Sequence, residues 1–215
     1  YSLYEDEKGI IWIGTYGSGL FAYDKLSDKS IPYYNIPNDK NSLSDNNISV
    51  IIESKDGSIW VGTNNGLNKL DRNTGKFIRY NVADGLPNNM IYGILEDTKR
   101  NLWISSNKGL CKFNYHNGSF RTYTSNDGLQ GDEFNQGAYF KSKSGKMYFG
   151  GLNGFNIFNP DEIKDDTLKA PVKITSLLLF NKPVQVGFDK NLNRTLLNKS
   201  LSESDEIELT HDDYV

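Results

Sequence analysis

One phrase recurs four times along this chain. It reads Asp6-Glu7-Lys8-Gly9-Ile10-Ile11-Trp12-Ile13-Gly14-Thr15 at first and Asp56-Gly57-Ser58-Ile59-Trp60-Val61-Gly62-Thr63 at its second occurrence. A third copy is Asn101-Leu102-Trp103-Ile104-Ser105-Ser106, and a fourth is Gly145-Lys146-Met147-Tyr148-Phe149-Gly150-Gly151. The aromatic anchors Trp12, Trp60, Trp103 and Tyr148 lie 48, 43 and 45 residues apart. A short polar step then leads to Gly19-Leu20, Gly66-Leu67, Gly109-Leu110 or Gly154-Phe155. A period in the forties, built from short strands, specifies an array of like units that bury their faces against one another.

The second repeat gives the clearest reading of one unit. Strands are expected over Ile48–Glu53, Ser58–Thr63, Leu67–Asp71 and Lys76–Tyr80, turned at Lys55-Asp56-Gly57, Asn64-Asn65-Gly66 and Arg72-Asn73-Thr74-Gly75. Asp-Gly and Asn-Gly favour tight turns because Gly accepts positive φ freely and Asn or Asp tolerates it. The third repeat matches over Ile91–Asp97, Leu102–Ser106, Leu110–Asn114 and Ser119–Tyr123. No segment has a helical period. Four short antiparallel strands per repeat make the blade of a β-propeller.

Linkers recur too, as Asp84-Gly85-Leu86-Pro87-Asn88-Asn89, as Asp127-Gly128-Leu129-Gln130-Gly131-Asp132, and more weakly as Ser42-Leu43-Ser44-Asp45-Asn46-Asn47. Their leucines are expected to pack between blades. The fold class is therefore all-β: a partial propeller of about four four-stranded blades over residues 1–160, a charged linker over 161–170, and the first strands of a sandwich-like β-domain over 171–215. In that last part a strand is expected over Val172–Phe180, followed by Asn181-Lys182-Pro183, Val184–Val186 and a polar stretch, with a further strand beginning at Ile207-Glu208-Leu209.

These residues resemble the two-component regulator propeller family, whose repeat runs D-x-x-G-x-[IL]-W-[IV]-G-T-x-x-G-L into an inter-blade D-G-L-x-x-N. The second repeat carries all of it. The first has one extra residue at Tyr16-Gly17-Ser18-Gly19, the third has Ser105-Ser106 for Gly-Thr, and the fourth has Tyr148 for Trp. Gly128 through Pro160 is similar to the family's terminal blade, and Ala170-Pro171-Val172-Lys173-Ile174-Thr175 to the entry of its three-tyrosine (YYY) domain. The resemblance implies the periplasmic sensor of a hybrid histidine kinase, with the membrane-anchored parent detecting oligosaccharides and signalling to a cytoplasmic phosphorelay. The partners it implies are an oligosaccharide ligand and the remainder of the propeller and YYY domain.

Composition removes other classes. With 24 basic and 27 acidic residues the formal charge is −3, without the concentrated basic field a nucleic-acid surface needs. No apolar run approaches the roughly 20 residues of a membrane span, so membrane contact is expected only through segments outside this sequence. The single Cys111 excludes an internal disulfide, and its position reads as filler equivalent to Asn68 or Ala22. The two histidines, His116 and His211, have no ligand partner at metal spacing, so neither a metal nor a cofactor is expected. No Asp-rich calcium loop, phosphate loop or nucleophile elbow occurs.

Asp132-Glu133 and Asp212-Asp213 are the carboxylate pairs a glycoside hydrolase would need, but acidic pairs of this kind usually lie in solvated turns. Ser54 through Trp60 resembles the Asp-box of sialidase propellers, in which the Asp satisfies turn amides and the Trp packs between blades. Sialidase chemistry also needs clustered arginines to hold a carboxylate, and Arg72, Arg79, Arg100, Arg121 and Arg194 fall mainly in turns or fourth strands. The chain is read as non-enzymatic. The propeller of a secreted glycan-active enzyme and a protein-docking propeller stay open as alternatives.

Topology places a binding face. With strands A to D antiparallel, the B–C turns and D–A linkers emerge together. That face collects Tyr16, Ser18, Asn64, Asn65, Asn107, Lys108 and Asn153 from the turns, and Asn46, Asn47, Asn88, Asn89 and Asp132 from the linkers. Tyr16, Asn64, Asn65, Asn88, Asn107, Lys108 and Asn153 are the candidate ligand contacts, since amides and an aromatic suit the hydroxyls and ring faces of a sugar. Turns, though, require Asn and Gly in any case. Tyr1 falls in a strand-like segment and Val215 closes on Glu208 to Tyr214 without a stop signal, so the sequence reads as part of a longer chain. An open array then uncovers ~400 Å² of apolar surface at each end, on the order of 10 kcal/mol per face, which favours self-association or a homodimer.

Overall fold

The structure, a computed structural model, describes residues 2–163, 175–179, 181–189, 194–204, 206, 207 and 209. The chain divides into two compact units, Tyr1–Lys164 and Asp165–Val215.

The first unit is a series of antiparallel meanders. β1 (Ser2–Glu5), β2 (Ile10–Gly14), β3 (Leu20–Asp24) and β4 (Lys29–Tyr33) form the first sheet in sequence order. The second holds β5 (Ile48–Glu53), β6 (Ile59–Thr63), β7 (Gly66–Asp71) and β8 (Lys76–Tyr80). The third holds β9 (Gly93–Glu96), β10 (Asn101–Ser106), β11 (Gly109–Asn114) and β12 (Ser119–Tyr123). The fourth has three strands among the described residues, β13 (Phe134–Lys141), β14 (Met147–Gly151) and β15 (Gly154–Phe158). First strands of successive sheets neighbour one another, which is the blade arrangement of a propeller.

Burial explains why the middle blades read as continuous apolar runs. In β6, Ile59 and Val61 enter the layer between blades 1 and 2, with Trp12, Leu20 and Leu43. Trp60 points the other way, into the layer with Ile94, Leu102 and Phe113 of blade 3. Alternate side chains of a strand face opposite sides, so a blade covered on both faces buries every residue of its second strand. β6 and β10 are buried along their whole length. Leu43 and Leu86 are buried within these layers and Leu129 packs against the third, as their linker positions suggested.

Two details differ from the expectation. The linkers contain single 3-10 turns at Val82–Asp84 and Ser125–Asp127. Each is too short to leave a helical period. Asp84 Oδ2 accepts the Asn81 amide at 2.8 Å and Asp127 Oδ2 the Thr124 amide at 2.8 Å, so the linker Asp closes its turn and the following Gly takes positive φ. Cys111 pairs with Ile104 across β10–β11, while Asn68 pairs with Val61 and Phe21 with Ile13. The blade 1 counterpart of Cys111 is thus Phe21; Ala22 belongs opposite Trp12, where blades 2 and 3 have Lys69 and Lys112.

In the second unit β16 (Leu178–Leu179) pairs with β17 (Lys182–Pro183), and β18 (Gly187–Asp189) with β19 (Arg194–Leu197). Of the strand expected over Val172–Phe180, Leu178–Leu179 is strand and 175–177 is not, while 172–174 and 180 lie outside the described residues. Val184–Val186 joins the pairing at its two ends, through the Val184 amide donating to the Leu177 carbonyl at 2.9 Å and a bridge from Val186 to Leu197. Ile207 and Leu209 are not in a strand, and Glu208, His211, Asp212 and Asp213 lie outside the described residues.

Candidate functional site

The motif residues have structural duties that can be read atom by atom. Six residues before each Trp stands a group that accepts its indole N–H. Asp6 Oδ2 takes Trp12 Nε1–H at 2.8 Å, Ser54 Oγ takes Trp60 at 3.0 Å, and Asp97 Oδ2 takes Trp103 at 3.0 Å. The other oxygen of Asp6 accepts the Lys8 and Ile10 amides, and that of Asp97 the Lys99 and Asn101 amides. Asp56 accepts the Ser54 hydroxyl and the Ser58 amide. Carboxylates so engaged are turn caps and do not present a free acid–base pair.

Arg72 joins two of these turns. Its guanidinium reaches Asp6 Oδ2 at 2.7 Å and Glu53 Oε1 at 2.6 Å, and its Nε donates to the Gly57 carbonyl at 3.1 Å. Burial raises the Asp6 pKa, but the bonds from Trp12, Arg72 and the Ile10 amide outweigh it and hold the carboxyl below its ordinary value. In the next interface Tyr115 takes the corresponding part, donating to Glu96 Oε1 at 2.6 Å; burial first, and that carboxylate second, push its phenol up. Arg79 is spent on the first linker, donating to the Ser42 carbonyl at 2.7 Å and to Asp39 and Leu43 carbonyls. Arg72 and Arg79 are thus committed to different partners, Arg121 lies over Tyr123 with Cζ 4.9 Å from the ring centre, and among the described residues no group of His, Cys, Asp and Glu is placed to hold a metal.

On the opposite face the B–C turns and D–A linkers do meet. The Gly19 amide donates to the Asn46 carbonyl at 3.0 Å, Gly66 to Asn89 at 2.7 Å, and Gly109 to Asp132 at 2.6 Å. A hydroxyl closes each turn: Thr15, Thr63 and Ser106 donate to the carbonyls of Gly19, Gly66 and Gly109 and accept the amides of Ser18, Asn65 and Lys108. This is why Ser106 replaces Thr without loss.

The candidate residues divide sharply on this face. Asn88 Oδ1 accepts the Met90 amide at 2.7 Å, and Asn65 Oδ1 accepts from Asn89 Nδ2 at 3.1 Å. Asn46, Asn89 and Asp132 accept the amides of Asn35, Val82 and Ser125. These polar groups stitch linker to turn. Tyr16 is different, with 68% of its surface exposed beside Asn47, to which it is bridged. The side chains of Asn64, Lys108 and Asn153 make no hydrogen bond among the described residues, although the Asn153 amide donates to Gln130 Oε1. Asn107 Oδ1 is buried without a partner. Tyr16, Asn64, Lys108 and Asn153 thus stay accessible on this face, whereas the buried Asn107 Oδ1 does not. Sequence reasoning found the face but had no signal to separate spent amides from available ones, since both kinds stand in turns.

Residues 1–17, 42–65 and 85–108 match the family described as two component regulator propeller. The extracellular domain of the B. thetaiotaomicron protein described as hybrid two component system BT3049 is 31% identical, with TM-score 0.67, over 74% of this chain and 21% of its own. That of the one component system BT4673 from B. thetaiotaomicron is 28% identical, with TM-score 0.63, over 75% of this chain and 24% of its own. Histidine kinase P4 of Formosa agariphila is 34% identical over 70 residues, 31% of this chain and 5% of that protein. The chain spans under a quarter of these relatives' length. Virginiamycin B lyase from Staphylococcus aureus, 16% identical with TM-score 0.52, shares the fold alone.

Proposed function

We propose that this chain, whose first three blades carry two component regulator propeller repeats, is part of the ligand-sensing extracytoplasmic region of a hybrid sensor histidine kinase. The region lies on the periplasmic side of the inner membrane, binds an oligosaccharide, and performs no chemistry itself. One observation carries the reading: the acidic and basic side chains of the Asp-box turns and Arg72 are consumed by internal bonds, while the turn face leaves an exposed aromatic and uncommitted polar groups. Likeness to extracellular domains of two-component systems supports the sensory setting. Binding shifts the population between arrangements of the propeller and the following domain, and only a ligand with different affinity for the two arrangements does so.

The test is an immobilised panel of neutral and anionic oligosaccharides probed with the chain. Selective retention on one glycan class supports the reading. No retention on any glycan, with capture instead by a periplasmic protein, replaces it with a docking propeller.

A further inference from the structure

The three inter-blade layers are built to one plan, and the first departs from it at two positions. Opposite the Trp of blades 2 and 3 stand Lys69 and Lys112. Their ammonium groups lie 5.2 Å from the Trp60 ring centre and 6.0 Å from that of Trp103, covering the indole. Opposite Trp12 stands Ala22, and the cation over this indole comes instead from blade 2, where Arg72 Cζ lies 5.6 Å from the Trp12 ring centre. The neighbouring blade is also reduced. Where blade 3 sends Phe113 against Trp60 at 5.8 Å, blade 2 has Leu70, because Leu70 pairs with Phe77 just as Phe113 pairs with Phe120.

The two truncations leave a cleft of about 320 Å³ between blades 1 and 2. Tyr33, half-buried, supplies its aromatic wall, facing Leu70, and Trp12, 3% exposed, touches the cleft only at its rim while stacked with Tyr33 at 6.2 Å between ring centres. Asp24, Lys29 and Arg72 supply its polar edge. These belong to the A–B and C–D turn end of the sheets, opposite the face that holds Tyr16. The charges are balanced: Asp24 and Lys29 are one of each sign, and Arg72 is held by Asp6 and Glu53. Lys29 forms no ion pair among the described residues. A pocket of this size, apolar with a few placed polar groups, fits the usual form of a small-molecule site.

We infer that the blade 1–blade 2 cleft is a second binding site, taking a neutral ring with one apolar face and a hydroxylated edge, such as a single hexopyranose unit. The apolar face lies on the aromatic wall. Hydroxyls at the edge donate to Asp24 and accept from Lys29. An anionic ligand gains no net cationic field there, and a cation meets Arg72. The site is independent of the turn face, and each can exist without the other.

The test follows the indole N–H resonances of the chain during titration with neutral methyl hexopyranosides. Trp12, which lines the cleft, moves, whereas Trp60 and Trp103, which do not, stay in place. Ala22→Lys installs the residue that the other two blades carry, and Leu70→Phe restores the missing ring. Each weakens the Trp12 response at least tenfold while leaving Trp60 and Trp103 unshifted, which certifies the fold; if one variant does not fold, the other decides. Tyr16→Ala leaves the Trp12 response unchanged. A Trp12 signal that no neutral hexoside moves, an undiminished response in a folded cleft-filling variant, or occupation only by free aromatic side-chain analogues overturns the proposal.

Discussion

At the scale of single residues, Asp6 has the most consequences per atom. Its side chain is fully buried and accepts from Trp12, Arg72 and two amides. Asp6→Ala strands an indole N–H and a guanidinium, and is expected to cost about 2–4 kcal/mol in urea unfolding. The folded pKa of Asp6 is depressed, so its contribution is complete above the unfolded value of about 3.9 and is lost as pH falls through the folded value. The urea midpoint therefore drops between mildly acidic and strongly acidic buffer, and Asp6→Asn flattens that drop. Cys111 gives a second test. Burial pushes its thiol up to about 12, so at neutral pH a thiol reagent modifies it only at the rate of unfolding. Rapid modification of folded protein would contradict the packing around it.

The departure of the third repeat from Gly-Thr is also settled residue by residue. Val50 faces Gly62 across β5–β6, and Gly93 faces Ser105 across β9–β10. A Cβ on Gly62 would sit 2.5 Å from Val50 Cγ1 and 2.6 Å from Ile91 Cγ2. Blade 3 exchanges which strand carries the side chain. Gly62→Ser is expected to cost about 1–3 kcal/mol by overpacking. Combined with Val50→Gly it costs less than the sum of the two, by at least ~0.5 kcal/mol in a double-mutant cycle. Additivity would mean that the two positions do not share the space.

At the scale of the element, the Gly of each B–C turn shows how much the sequence could declare. Gly66 has φ of 117°, and a Cβ there would lie 2.6 Å from the Tyr80 carbonyl oxygen of the fourth strand. Gly154 has φ of 121° but no atom within 4 Å of such a Cβ, since no fourth strand flanks β15 among the described residues. Both alanine substitutions carry the strain of positive φ; Gly66→Ala adds a collision and should lower the melting temperature further. Equal losses would argue against that strand contact. Blades were legible because such glycines, the Trp anchors and the linker leucines each have one physical solution. The division of the turn face was not, because an Asn capping a linker and an Asn awaiting a ligand look alike in sequence. The cleft was hidden for a different reason: Ala22 gains meaning only once strand register aligns it with Lys69 and Lys112.

At the scale of the whole molecule, the first unit is a scaffold whose strength lies between blades and whose uncommitted chemistry lies at the turns. The interfaces combine buried aromatic layers with ties across them, from Arg72 to Asp6, from the Glu7 amide to Glu53 and from the Lys55 amide to Glu96. A scaffold of that kind can hold Tyr16, Asn64 and Lys108 at fixed positions for recognition. The most direct test of the account is calorimetric titration of the chain and of Tyr16→Ala with the oligosaccharide that a glycan panel selects. The account predicts saturable binding that Tyr16→Ala weakens at least tenfold without altering the melting temperature. Binding unchanged in Tyr16→Ala would contradict the turn face as the recognition surface, and failure of every glycan to bind would contradict the sensing function.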